Sequence, residues 1–332
     1  MAYKVAVLMG GTSKERSFSL ASGKRVCDAF EKAGFEVLPL DTNDKLVDTL
    51  RAEKPDVAYI ALHGKHGEDG TIESLLEFLH IPYVGSDANA CKRTWNKSAL
   101  ESLLNDSAEF AGFEIHCPKT IRLTADAFKV MGAATAIDLI PDEFENGLPL
   151  CVKPACQGSA LGMSKVEIFD ELAPAILTAL SYDDEVLISE WVEGVEMAVS
   201  IIEMEGVAFA LPPVEIVPKE DHIYDTAARL DSDLVDFYAP VRPESLASSE
   251  EVSSSIRSEI ERTALEAYHA FGLRDFGRID LIWDGAQTKI LECAVSPGMT
   301  SSSLFPLAAK AAGMELADVL TVLVNAAVER GA

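Results

Sequence analysis

Val5-Ala6-Val7-Leu8-Met9-Gly10-Gly11-Thr12-Ser13 is the stretch that decides the fold class at the start of the chain. Five apolar residues make a strand-length run, two glycines stop it, and Ser19–Ala33 then reads as a helix. Outward from this unit the alternation continues. Glu36–Leu40 reads as a strand, Asp44–Arg51 as a helix, Val57–Leu62 as a strand, Thr71–Leu79 as a helix and Pro82–Val84 as a short strand. Strands alternating with helices of this length predict a parallel α/β sheet. Ligands of such sheets sit at the carboxyl ends of the strands, here the loops Gly10-Gly11-Thr12-Ser13 and His63-Gly64-Lys65-His66-Gly67-Glu68-Asp69-Gly70.

The pattern changes further along. A central region, 94–188, opens with an expected helix at Lys97–Leu104 and carries strands at Leu150–Lys153 and Leu187–Ser189 around a glycine-bearing loop. The last region, 189–332, looks antiparallel, with strands at Met197–Glu203, Val207–Leu211, Arg278–Trp283 and Lys289–Cys293 and long helices at Glu250–Ala270 and Leu316–Glu329. Residues 218–241 are rich in Asp and show neither periodicity; they read as a long ordered loop, and loops of that length are usually functional. The expected domains are therefore 1–93, 94–188 and 189–332, with α/β character first and α+β character later.

Charge narrows the function classes. The 332 residues carry a net charge of −26. It is uneven: residues 1–93 hold 12 basic and 14 acidic residues, the remainder 16 and 40. So acidic a body repels phosphodiester backbones and anionic bilayers, which argues against nucleic-acid and membrane-surface partners. It does not exclude a small anion held by a few well-placed cations. Six cysteines (27, 91, 117, 151, 156, 293) form no CxxC pair and read as reduced thiols. With no signal-type apolar segment and no run near the ~18 residues of a spanning helix, a soluble, cytoplasmic protein is expected.

Three segments could carry chemistry. In Gly158-Ser159-Ala160-Leu161-Gly162-Met163, after Val152-Lys153-Pro154, small residues let backbone approach a ligand and successive N–H groups can cradle an anion. The alternative is a plain hairpin turn. In Gly277-Arg278-Ile279-Asp280 and Ile290-Leu291-Glu292, paired strands would bring Asp280 and Glu292 together. Without a cation they would repel, and a divalent ion shared with substrate phosphates would resolve this; two solvent-facing acids are the alternative. In Gly10-Gly11-Thr12-Ser13-Lys14-Glu15-Arg16 no GxGxxG occurs, so a nicotinamide site is disfavoured. His63 and His66 lack partners at metal spacing and read as structural.

Taken together and in order, these segments resemble the D-alanine–D-alanine ligase family. The resemblance rests on Val7–Arg16 with Ser19-Leu20, Ala61-Leu62-His63-Gly64, Gly67–Ile72, Ile81–Ser86, Asn96-Lys97, Val152–Val166, Gly277–Asp280 and Ser296–Ser301, and so covers nearly the whole chain. It implies an ATP-grasp fold of three lobes: a substrate lobe at 1–93, a central lobe with the glycine loop, and a C-terminal lobe with metal site and lid at 218–241. It implies phosphorylation of one D-alanine carboxylate by ATP, attack by the amine of a second D-alanine, and a role in peptidoglycan precursor synthesis. Lys97 and Lys153 match the family's phosphate-contacting lysines, Glu190, Trp191 and Val192 its adenine-gripping hinge, and Glu196 its ribose-binding acid. Asp280 and Glu292 match its magnesium (or manganese) ligands, and Arg278 the arginine facing the tetrahedral intermediate. Glu15, with His63 nearby, matches the group holding the first D-alanine's ammonium. Ser159 matches a member of a hydrogen-bonded group that steadies the closed loop, and Gly298, Ser303 and Leu304 match the second subsite. A homodimer is expected from the same resemblance.

The match has departures. The family usually places Asn, a metal ligand, where Ala294 stands, and Lys-Tyr where Arg229-Leu230 stand. The lid tyrosine that hydrogen-bonds toward Ser159 and Glu15 is thus absent. Gln157 replaces the usual Glu, Ala160 the second Ser of a pair, and Ser189 an acid. Two other readings follow: a ligase taking D-lactate, D-serine or another second substrate, and a catalytically silent nucleotide-binding paralogue. The persistence of Glu15, Lys97, Lys153, Arg278, Asp280 and Glu292 favours working ATP chemistry.

Overall fold

Both faces of the opening strand are covered, which is why its sequence runs apolar without a break. In β1 (Lys4–Met9), Val5, Val7 and Met9 enter one core while Ala6 and Leu8 enter another. A computed structural model of the chain describes residues 3–100, 102–104, 115–219 and 222–332, without the side chains of Leu230 and Ser232. Helix α1 (Arg16–Lys32) starts three residues earlier than its periodicity suggests; β2 (Glu36–Asp41), α2 (Leu46–Glu53), β3 (Val57–Ile60), α3 (Thr71–Leu79), β4 (Tyr83–Val84) and α4 (Ala88–Trp95) complete the first lobe. Its sheet is parallel throughout, in the order β2-β1-β3-β4, as expected.

The central sheet is antiparallel, β5-β8-β6-β7, built from β5 (Thr120–Thr124), β6 (Leu150–Pro154), β7 (Ser164–Val166) and β8 (Glu185–Glu190). Helices α5 (Ala125–Met131), α6 (Ala133–Leu139) and α7 (Phe169–Leu180) cover it, with Phe128, Ile140, Leu172 and Ile176 packed against Leu150, Val152 and Ile188. Neither these helices nor β5 and β7 were expected; each is too short, or too uniformly apolar, to show a clear period. The expected helix at Lys97–Leu104 opens as a 3-10 turn over Lys97–Ala99 and is α-helical at residues 100 and 102–104; residue 101 lies outside the described residues.

A six-stranded sheet completes the molecule: β9 (Val195–Met204), β10 (Val207–Ala210), β11 (Val214–Pro218), β12 (Val235–Tyr238), β13 (Phe276–Trp283) and β14 (Thr288–Ala294), in the order β12-β11-β9-β13-β14 with β10 on β9. The segment 218–241 is not one irregular loop. It holds α8 (Thr226–Leu230), capped by the Asp225 side chain on the Ala228 amide, and β12, which pairs antiparallel with β11; residues 220 and 221 lie outside the described residues. Val235 turns inward beside Phe237 while Asp236 stays exposed, an alternation too short to stand out in sequence. Helices α9 (Pro243–Leu246), α10 (Glu250–Ala270), α11 (Leu304–Ala311) and α12 (Leu316–Arg330) follow. The last returns to the first lobe: Val319, Leu320, Leu323, Val324 and Ala327 share a core with Val5, Val57 and Phe30.

Candidate active site

β13 divides its side chains by alternation. Ile279, Leu281 and Trp283 point into the core beneath, leaving Arg278, Asp280 and Ile282 on the cavity side. On β14 the register slips by one residue. Asp280 faces Glu292 but Leu281 faces Ile290, so Leu291 is the extra residue of a bulge. The slip lets Ile290 and Cys293 both enter the core while Leu291 and Glu292 line the cavity. The expectation that strand pairing brings Asp280 and Glu292 together holds; the premise that they meet without a cation does not. Arg278 forms two bonds to Asp280, 2.6 and 2.8 Å long, and Lys97 Nζ lies 3.1 Å from Glu292. Desolvation alone would raise the Glu292 carboxyl, yet Lys97, Arg229, Arg278 and Lys153 together hold it down at about 2.

Two cavities flank this pair. The larger encloses about 1180 Å³ of space open to solvent, ample for a nucleotide. It is lined by Lys97, Lys153, Glu190, Trp191, Val192, Glu196, Asp280 and Glu292, all the residues singled out for nucleotide and metal. Glu190 itself is engaged: its carboxylate accepts from Lys289 Nζ (2.7 Å) and the Lys119 amide (3.1 Å). Ser189 bonds the Thr120 hydroxyl at 2.9 Å. Burial pushes the Glu196 carboxyl up to about 7 against the pull of Arg229. The glycine loop is both things the sequence allowed: it joins antiparallel β6 and β7 as a hairpin, and Gln157, Ala160 and Leu161 line the cavity. Ser159 and Ala160 sit in left-handed backbone there, at φ 51° and 54°.

The second cavity is lined by Glu15, His63, Ser159, Arg278, Gly298, Ser303 and Leu304, the full set assigned to substrate and catalysis, with Ala294 beside them. Glu15 reaches it from the N-terminus of α1, which Ser19 pins by accepting from the Gly10 amide (2.9 Å) and donating to the Ala61 carbonyl (2.8 Å). The Ser159 hydroxyl donates to Glu15 from the central lobe. Glu15 is 7% exposed. Desolvation, helped by Glu68, pushes its carboxyl up to about 7 despite the Ser159 bond and His63. His63 Nε2 lies 2.9 Å from Ser22 Oγ, which also accepts from the Met299 amide (3.1 Å), so the histidine braces the Ser296–Thr300 loop as well as the cavity wall.

The two cavities share Lys97, Tyr224, Arg229 and Glu292. Sequence reading places Arg229, Tyr224 and Thr226 in the lid segment and Gly64 and Glu68 in a ligand loop, but singles out none of the last four as site residues. Arg229 stacks on the Tyr224 ring at 4.4 Å, and its buried Nε has no protein partner. A signal for the lid residues was present: Asp225 followed by Thr-Ala-Ala is an N-cap pattern. Gly64 has no such signal, since its role depends on Glu15 lying against it. The Asp280–Glu292 pair fits a hard divalent cation, since carboxylate oxygens are what such ions take. Among the described residues no group of three or more His, Cys, Asp or Glu is placed to hold a metal ion. Two protein carboxylates would therefore have to be completed by phosphate and water oxygens.

Comparison with known proteins identifies the family and the fold. A family model described as D-ala D-ala ligase C-terminus matches residues 128–325, and one described as D-ala D-ala ligase N-terminus matches 43–86. The chain is 37% identical to the D-alanine–D-alanine ligase of Desulforudis audaxviator, over 99% of this chain and 100% of that protein. It is 34% identical to that of Bordetella petrii, over 98% and 92%. The solved D-alanine–D-alanine ligase of Bacillus anthracis superposes with a TM-score of 0.77 at 28% identity, covering 99% of this chain and 98% of that one; its complex with ATP gives 0.75 at 26%. With a family model matched over more than half its length and relatives above 30% identity along nearly all of it, this chain belongs to the D-alanine–D-alanine ligase family and has its ATP-grasp fold.

Proposed function

We propose that the protein is an ATP-dependent ligase that joins two D-alanines into D-alanyl-D-alanine, with release of ADP and phosphate. The observation that carries this reading is the meeting of the two cavities at Lys97, Tyr224, Arg229 and Glu292. A nucleotide in one and an amino acid in the other would face each other across that seam. The relative complexed with ATP supports the nucleotide assignment.

The residues then divide the work. Lys97 and Lys153 neutralise phosphate charge, the edge at Glu190, Trp191 and Val192 grips the base, and Glu196 takes the ribose. Glu15, steadied by Ser159 and flanked by His63, holds the ammonium of the first D-alanine. The carboxylate oxygen of that D-alanine attacks the γ-phosphorus and ADP departs, leaving D-alanyl phosphate. The second D-alanine, seated at Gly298, Ser303 and Leu304, uses its free amine to attack the acyl carbon; phosphate leaves and the nitrogen loses a proton. Arg278 faces the oxyanion of that step. Asp280 and Glu292 would hold a magnesium or manganese ion together with phosphate and water oxygens, and the ion supplies charge neutralisation at the phosphates. The lid at 218–241 keeps water from the acyl phosphate. The product serves peptidoglycan precursor synthesis in the cytoplasm, and the enzyme acts as a homodimer on small molecules rather than on nucleic acid or membrane.

The test is phosphate and dipeptide release from Mg-ATP with D-alanine alone, then with D-lactate or D-serine added. D-Alanine alone is expected to give one phosphate per dipeptide. Absence of D-alanine-dependent release at any metal concentration overturns the reading; tight ATP binding without turnover points to a silent paralogue.

A further inference from the structure

The lid is rooted in one lobe and bonded to another. Tyr224, Ala228 and Val235 belong to the core shared by the first and third lobes, with Phe237 edge-on to Tyr224 at 6.0 Å. From the first turn of α8, the Thr226 hydroxyl donates to the Ser159 carbonyl of the glycine loop at 2.8 Å. Ser159 is the residue whose own hydroxyl donates to Glu15, 144 positions away in sequence. Three lobes are thus joined in one line: lid threonine, loop serine, first-lobe carboxylate. Ser159 occupies left-handed backbone, a conformation that a non-glycine residue keeps only when its surroundings hold it. The Lys14 ammonium over the Tyr182 ring, at 3.8 Å, closes the first and central lobes on the same side. Leu230, where a lid tyrosine would stand, carries no hydroxyl.

We propose that Thr226 is a positioning residue that latches the lid to the glycine loop and, through Ser159, orients Glu15 toward the first substrate's ammonium. The inference rests on the ligase reading above for its catalytic consequence, and on the hydrogen bond alone for its conformational one. With the latch made, the Ser159 carbonyl is fixed and its hydroxyl is aimed at Glu15. With it broken, the loop and lid part together, the ammonium site loosens, and water reaches the acyl phosphate. Attack of that water on the acyl phosphate regenerates D-alanine and releases phosphate, so ATP is spent without a peptide bond.

The pair Thr226→Val and Thr226→Ser separates these effects, since valine keeps the shape and loses the hydroxyl while serine keeps the hydroxyl. A hydrogen bond of this kind is worth about fivefold to tenfold in an equilibrium. Thr226→Val is expected to raise the D-alanine KM by that factor, leave the ATP KM near wild type and release several phosphates per dipeptide; Thr226→Ser is expected to match wild type. In the substrate-free enzyme, amide hydrogen exchange over Thr226–Leu230 and the glycine loop should speed up in Thr226→Val only. A valine variant with unchanged exchange, or a serine variant as fast as the valine one, overturns the latch whatever the activity. If wild type exchanges as expected but makes no dipeptide, the ligase reading fails and the latch stands.

Discussion

At the residue scale the site depends on carboxylates whose surroundings push them in opposite directions. Glu292, ringed by Lys97, Arg229, Arg278 and Lys153, is held at about 2 and stays ionised at any working pH. Glu15, walled off from water and facing Glu68, is raised to about 7. Its ionised form is the one that can pair with an ammonium, and a raised value means that form is lost as pH falls through about 7 rather than through the ordinary carboxylate range. In the free enzyme, kcat/KM for D-alanine should be flat above this value and fall about tenfold per unit below it. A pH profile that bends near the usual glutamate value instead would show that Glu15 is not the group sensed. Sequence alone named both acids, but their opposite behaviour comes from neighbours 14 to 277 residues away.

At the scale of elements, the site works because backbone comes close in specific turns. Gly64, at φ 74°, lies against Glu15; a Cβ there would fall 2.2 Å from Oε2. Gly64→Ala therefore displaces the carboxylate as well as forcing alanine into left-handed backbone, which costs about 1–2 kcal/mol. The expected result is a lower melting temperature and a D-alanine KM raised at least tenfold, with ATP binding by calorimetry unchanged; weakened ATP binding would mean the whole loop had collapsed. The β14 bulge does comparable work for the Asp280–Glu292 pair. Plain alternation would put Ile290 on the same face as Glu292, and the slipped register sends Ile290 into the core instead. The glycine loop and the Asp280–Glu292 pairing were legible because they rest on local composition and strand period. The bulge, α8 and β12 were not, because a single extra residue or a four-residue strand leaves too few periods to recognise.

At the scale of the whole molecule, the last helix helps hold the first and third lobes together. Arg330, in the last turn of α12, makes two bonds of 2.7 and 2.9 Å to Asp275 and one of 2.9 Å to the Tyr83 carbonyl, while Asp275 also accepts from the Gly85 amide at 2.7 Å. Asp275 is 2% exposed, so removing its partner leaves a buried charge. Breaking such a pair costs about 3–5 kcal/mol when fully buried and less here, because Arg330 keeps some solvent contact. Arg330→Ala should lower the melting temperature by several degrees with the ATP KM within about twofold of wild type; unchanged stability would mean α12 is held by its apolar face alone. By itself the sequence determined the parallel first lobe, the antiparallel last sheet, the family, and which side chains could serve ATP and an amino acid, because period, glycine placement and motif order are local properties. Only the tertiary structure decided that Thr226 meets Ser159, that Lys97 meets Glu292, and that the last helix is buried in the first lobe's core. Those contacts join distant parts of the chain, and they follow from how four cores pack rather than from any pattern along it.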